Sequence, residues 1–357
     1  MELQMEIASK ADAAEIVSFG NYYRGEERTP EQWLWEFRGM NGDSSVFGLL
    51  KEDGKIIGTC GMIPVYLWAG NRKILSAKME SGLIDPRYRG TTTFQDLVKF
   101  TETEGLRKGV SVMWGYTHKD RANRRWGFRA YPHIMYTILG VLNLRQAVAE
   151  ELRNEKHGLW SKIRRLGAHL LLWAYGSILR VKISSDPACF SITDCLVHPS
   201  DITKLYDRLR KKYPEMVHID LDETYLRWRV YDHPLLNYEP YFLYEGETLR
   251  AYAFVNRHET GRAYISDLTF ESAAEGKILL RKILRDMKEK GVGVVAFHGN
   301  EANPVVRQIF RLLRRHGFLR FAWIHMVVRN LSFDREDLIF NEKNWYMNGL
   351  STEGYEI

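Results

Sequence analysis

The run from Glu80 through Ser81, Gly82, Leu83, Ile84, Asp85, Pro86, Arg87, Tyr88, Arg89, Gly90, Thr91, Thr92 and Thr93 to Phe94 holds the residue types best suited to gripping an anion. An extended segment ends at Asp85-Pro86, an arginine-rich bend follows, and a helix is predicted to begin near Thr92. The first amides of a helix lack intrahelical partners, and the helix dipole adds positive charge there. A phosphate or diphosphate is the natural guest of such a spot. Arg87 and Arg89 offer charge-assisted bonds, and the hydroxyls of Thr91, Thr92 and Thr93 offer further donors. A strand, a bend and a helix with one glycine also occur where nothing binds, so the pattern points to an anion without demanding one.

The elements around this run follow a recognisable order. Met5 to Ala8 reads as a short strand, and a helix starts at Ala11. Thr29-Pro30 opens a second helix, TPEQWLWEFRG. VFGLLKEDGKIIGTCGMIPVYL and KILSAKMESGLI read as three strands, turning at Glu52-Asp53-Gly54-Lys55. A helix with Phe94, Leu97 and Val98 inward comes next, then a strand from Val110 to Tyr116, a short helix and Trp126-Gly127-Phe128. The order then recurs: DETYLRWRVYDHP echoes TPEQWLWEFRG, and YEGETLRAYAFVNRHETGRAYISDLTF echoes the three strands. Two helices with the strand Val292 to Phe297 between them end at His316-Gly317-Phe318. The Gly-Phe pairs lie 190 residues apart and the turns at Asp53 and Glu245 lie 192 apart. Such a near-constant offset implies duplication. The expected fold class is therefore mixed α/β: domains at 1–142 and 185–331, a basic helical linker at 143–184, and an acidic, aromatic tail at 332–357.

Length and composition agree with two cores. The chain has 357 residues, 45% hydrophobic and 27% charged, which excludes disordered, collagen-like and disulfide-scaffold classes. A net charge of +6 favours anionic ligands but is too small and too spread to demand nucleic acid, and none is expected. Cys60, Cys189 and Cys195 form no CxxC, which suits a reducing compartment; Cys189 and Cys195 read as small core residues. The start carries acids where a signal peptide is basic, and the longest apolar run, Gly167 to Leu179, is too short to span a bilayer, so the expected address is the cytoplasm. No metal is expected, because the histidines lack paired ligand spacing. Between the halves, Arg145 to Lys182 is rich in Lys, Arg and Leu. It is read first as a helical brace and second, over 156–182, as a membrane-surface contact.

DPRYRG, with a strand before it and an amphipathic helix behind it, resembles the acyl-coenzyme A loop of the GNAT acyltransferases. VSVMWGYT, the helix bearing Asn123 and the closing WGF resemble that family's second half. The whole chain resembles a tandem GNAT with a degenerate second unit, where Thr269-Phe270-Glu271-Ser272-Ala273 replaces the loop. The resemblance implies that Arg87 and Gly90 match the loop pattern, while Thr92 stands where a small residue is usual. It implies that Leu83 and Ile84 pair with the pantetheine arm of acetyl-CoA, and that Asn123 meets the arm's far end. It also implies an acyltransferase, most simply an N-acetyltransferase, acting on a small amine such as an amino sugar of glycan assembly. The alternatives are a relative of aminoacyl-tRNA-dependent peptidoglycan-bridge ligases and a non-catalytic scaffold or sensor.

In that chemistry an amine loses a proton, attacks a thioester carbonyl and releases a thiolate. Proximity, an amide for the oxyanion and one base suffice. Glu80, on the strand flanking the thioester, is the candidate base; its bland reading is a partner for Lys78. The family's tyrosine acid is absent, since Asn123 holds its place, and Tyr116 or His118 substitutes. Trp33, Trp35 and Phe37 share a helix that reads as core or as a wall of the acceptor pocket, and Trp114 likewise. In the tail, Trp345 and Tyr346 are expected to anchor a return onto the first domain.

Overall fold

The computed structural model describes residues 2–38, 40, 45–118, 120–153, 159–180, 191–193 and 199–351. The first repeat runs β1 (Leu3–Ile7), α1 (Ala13–Arg24), α2 (Pro30–Arg38), β2 (Val46–Glu52), β3 (Lys55–Ala69) and β4 (Arg72–Ile84). It continues through α3 (Thr93–Arg107), β5 (Val112–Thr117), the short α4 (Arg121–Arg125) and β6 (Arg129–Val141). α2 begins at a reciprocal cap: the Gln32 amide donates to Thr29 Oγ1 at 3.3 Å and the Thr29 amide donates to Gln32 Oε1 at 2.9 Å. The β2–β3 hairpin turns on Asp53 and Gly54, with φ of 46° and 82°, as a two-residue turn requires.

Two linking helices follow, α5 (Leu144–Arg153) and α6 (Leu159–Arg180), then β7 (Ser191–Thr193) and α7 (Pro199–Lys212). The second repeat contributes β8 (Val217–Ile219), α8 (Glu223–Leu226), β9 (Tyr238–Glu245), β10 (Thr248–Arg257) and β11 (Arg262–Phe270). It closes with α9 (Ala273–Glu289), β12 (Val294–Asn300), α10 (Pro304–Arg315) and β13 (Leu319–Asn330), before α11 (Glu336–Ile339) and β14 (Trp345–Tyr346). Cys189 and Cys195 lie outside the described residues. Cys60 is fully buried, and burial pushes its thiol up to about 12, so it is an inert core residue.

The mixed α/β class holds, but the two sheets are fused. The strand order is β1-β2-β3-β4-β5-β13-β6-β12-β11-β10-β9-β7, with β8 and β14 paired beside β3. The join is an exchange of final strands. β13, from the second repeat, pairs with β5 of the first, from His325 opposite Thr117 to Asn330 opposite Val112. β6, from the first, pairs with β12 of the second, from Val141 opposite Val294 to Met135 opposite Asn300. The two exchanged strands pair with each other. Exchange leaves no free strand edge at the centre, which binds the halves more firmly than a linker would.

The duplication read from the sequence reappears as geometry. Trp35, just past the middle of α2, stacks on Trp228, 193 residues later, with centroids 5.4 Å apart. Trp35 Nε1 donates to the Trp228 carbonyl at 3.1 Å and Trp228 Nε1 donates to the Trp35 carbonyl at 2.9 Å. Equivalent residues exchanging equivalent bonds is the signature of a two-fold relation. Trp33 and Phe37 are core instead, both meeting Phe47 edge to face.

Candidate active site

β4 and β5 run parallel, yet they pair only from Ser76 opposite Val112 to Lys78 opposite Trp114. From Met79 to Ile84 that edge of β4 has no strand beside it among the described residues. A bulge causes the divergence. The β3–β4 register slips between Thr59 and Gly61, and Ser81 is driven to φ 53°, held by a 2.7 Å bond from Thr59 Oγ1 to its carbonyl. The result is a wedge whose apex is at Lys78 and Trp114, with Leu83 and Ile84 at the open end of β4.

The anion loop continues from that end. Asp85 anchors it: its buried carboxylate accepts from the Arg87 amide at 2.9 Å, the Arg87 side chain at 3.0 Å and the Tyr23 hydroxyl at 2.9 Å. The Arg87 bonds hold this carboxyl down at about 2. Arg87 also lies 3.4 Å from Glu52. It therefore serves the loop's shape, whereas exposed Arg89 makes no ion pair among the described residues. The expectation of a row of bare amides is corrected. The amides of Tyr88 and Arg89 close a 3-10 turn on the Asp85 and Pro86 carbonyls, and Thr91 N–H lies 3.4 Å from the Tyr88 carbonyl. Thr93 N–H takes Thr91 Oγ1, which itself donates to the Tyr88 carbonyl. Among the described residues no hydrogen bond uses the amides of Gly90 or Thr92. Gly90 sits at φ 87°, and a Cβ built there would meet only open space. The bend itself thus offers only the Gly90 and Thr92 amides, ahead of the first turn of α3.

Asn123 is half-buried on α4, which follows β5. At the end of α4, Trp126 meets Phe94 of α3 with centroids 4.9 Å apart, tying the helix after β4 to the helix after β5.

At the apex the predicted chemistry converges in part. Glu80 pairs with Lys78 at 2.5 Å. Tyr116 lies across the wedge on β5, half-buried, and its hydroxyl meets Ser351 Oγ at 2.7 Å. Burial raises its phenol far above the usual value, with Glu80 adding to the rise, so it stays protonated at neutral pH. His118 is exposed past the end of β5, near His325, with no contact to Glu80 or Tyr116 among the described residues. Beside Lys78, a cavity bounded by Trp35, Trp114, Trp228, Arg229 and Ser351 has a free volume of about 20 Å³, room for one water.

The second repeat repeats the wedge and fills it. β11 and β12 pair in parallel only from Arg262 opposite Val294 to Ile265 opposite Phe297. Asp267 then stands two residues past the last pair, where β4 carries Glu80. The segment after β14 enters this opening: Asn348 bridges Gly299, the Asn300 amide donates to the Met347 carbonyl at 3.0 Å, and Gly349 lies against the Ser266 backbone. Tyr346 reaches Thr269 and Asp267, while Trp345 packs 6.2 Å from Trp114. The tail thus fastens on both repeats, not on the first alone. Asp267 and Ser351 were missed in the sequence, since only the pairing register reveals them; Tyr346 was expected as an anchor, though not of this wedge.

No protein-family model matches the chain, and no curated protein does. Solved structures do. A conserved protein of unknown function from Enterococcus faecalis V583, described as a probable N-acyltransferase, aligns at TM-score 0.64 and 10% identity, over 92% of this chain and 73% of that one. A GCN5-related N-acetyltransferase from Kribbella flavida aligns at 0.61 and 12%, over 92% and 72%. A tandem GNAT protein from the clavulanic acid biosynthesis pathway aligns at 0.55 and 10%, over 92% and 98%. The chain has the tandem GNAT fold.

Proposed function

We propose that the chain is an acyl-CoA-dependent acyltransferase, an N-acetyltransferase that moves acetyl from acetyl-CoA to a small amine, with an amino sugar as the favoured acceptor class. The observation that carries this reading is the wedge between β4 and β5, unpaired beyond Lys78 and Trp114 along the part of β4 that leads into the Gly90 bend. The unpaired edge at Leu83 and Ile84 would hold the pantetheine amides as an added strand holds its neighbour. Gly90 and Thr92 would give amides to the diphosphate, with Arg89, Thr91 and Thr93 at its rim, Arg87 shaping the loop and Asn123 facing the arm. Acetyl-CoA supplies the activated acyl group. Glu80 takes the proton of the attacking amine, and Tyr116, protonated at neutral pH, donates toward the departing thiolate. His118 has no part in this scheme. Only the first wedge is assigned to the donor, because residues 345–351 occupy the second.

Two observations favour a non-catalytic reading instead: the cavity beside Lys78 is water-sized, and Phe94 of α3 packs against Trp126 at the end of α4. Thermal unfolding with acetyl-CoA decides between them. A donor present at 100 times its Kd stabilises the fold by about 2.7 kcal/mol, and Gly90→Val abolishes the shift by filling the open space above the bend. No shift at millimolar acetyl-CoA removes the enzymatic reading.

A further inference from the structure

α6 carries the least expected surface of the molecule. Its inner side is well fixed: Leu172 is buried with Leu139, Val141 and Ala147, His169 is buried, and its backbone at Gly176 touches Gly317, where an added Cβ would lie 2.2 Å from Gly176 Cα. The opposite side should be polar on a helix packed against a globular body. It instead presents Trp160, Ile163, Leu170, Leu171 and Ile178, which helical periodicity places along one side, with Trp160 82% and Ile178 74% exposed. Trp173 and Tyr175 flank this stripe. The helix sequence contains no acid, and Lys162, Arg164 and Arg165 charge its first half.

Two neighbours extend the face. Arg165 lies over the Phe321 ring at 5.8 Å, which brings in the start of β13, where Leu319, Phe321 and Trp323 alternate outward and exposed. On another flank, Trp173 and Ser177 border a cavity of about 710 Å³, walled by Leu284 and rimmed by Arg145, Arg285 and Lys288. Those three cations are exposed and make no ion pair among the described residues, and no acid lines the cavity.

We propose that this face docks on an anionic lipid bilayer, the stripe sinking into the boundary between headgroups and acyl chains and the cations meeting phosphates. An apolar stripe alone would serve a protein partner equally well. The choice of lipid comes from the charge, which is of one sign around the cavity and along α6, and from the flanking Trp and Tyr, side chains suited to the bilayer boundary. The attachment is peripheral, since no helix among the described residues is long and apolar enough to cross a membrane.

Co-sedimentation of the full chain with vesicles tests this. Phosphatidylcholine vesicles containing phosphatidylglycerol should pellet it, pure phosphatidylcholine should not, and added salt should release it. Leu171→Glu with Ile178→Glu should abolish pelleting. Arg285→Ala with Lys288→Ala should weaken partitioning roughly twenty-five-fold, at about fivefold per cation. These side chains are exposed, so unfolding temperatures should stay at the wild-type value. Failure to pellet with phosphatidylglycerol, or pelleting indifferent to both double variants, overturns the proposal. So does a dimer in lipid-free sedimentation velocity that Leu171→Glu dissociates, since a second copy would then cover the stripe.

Discussion

Asp267 should make this protein less stable as pH rises through the mildly acidic range, the reverse of what most carboxylates do. It is fully buried in the second wedge, with the Tyr252 hydroxyl at 2.6 Å, Thr269 Oγ1 at 2.9 Å and the Tyr346 hydroxyl at 3.3 Å. Burial lifts its carboxyl from 3.8 to about 6, and the three hydroxyls restrain that rise. Between those values the folded protein holds a proton that the unfolded chain has released. Stability therefore falls across the interval and levels off above about 6. A span of 2.2 units at about 1.36 kcal/mol each gives about 3 kcal/mol. For 357 residues and roughly 2.1 cal/mol/K of unfolding entropy per residue, this is about 4 °C in Tm. Asp267→Asn keeps the shape without the charge, and the hydroxyls can rotate to accept from its amide. Measured by calorimetry from pH 4 to pH 7, the variant should gain about 4 °C on the wild type. Parallel curves would show that Asp267 does not titrate there, and the account of its burial would be wrong.

Three further outcomes follow from the same geometry. Trp35→Phe removes a donor from the buried exchange with Trp228 and should cost about 1–3 kcal/mol; a double-mutant cycle with Trp228→Phe should show coupling, and strict additivity would mean that the halves do not lean on each other there. Gly349→Ala places a Cβ 2.9 Å from the Ser266 Cα and carbonyl oxygen, so urea unfolding should show about 1–3 kcal/mol lost; an unchanged midpoint would put the segment elsewhere. Glu80→Gln should lower turnover roughly 10²-fold while acetyl-CoA binding persists, and an unaltered pH–rate profile excludes it as the base.

Much of the fold was legible because local chemistry spelled it out: the Thr29-Pro30 cap, the Asp53-Gly54 turn and the repeat offset need no tertiary knowledge. The strand exchange was not, since β6 and β13 have the same apolar pattern whichever half they join. At the loop, DPRYRG read correctly as a bend before a helix, yet Asp85's grip on Arg87 and the self-closing amides depend on contacts that a residue pattern does not contain. Glu80 and Lys78 were adjacent on one strand face by alternation. Tyr346 and Ser351 lie about 80 and 235 residues from their partners Asp267 and Tyr116, beyond any local signal.

The most direct test is a crystal structure of the chain soaked with acetyl-CoA. Density should run along the free edge of β4 from Met79 to Ile84, with the diphosphate on the amides of Gly90 and Thr92 and the second wedge still filled by residues 345–351. Ligand found between β11 and β12, or bound without touching the Gly90 turn, would contradict the assignment.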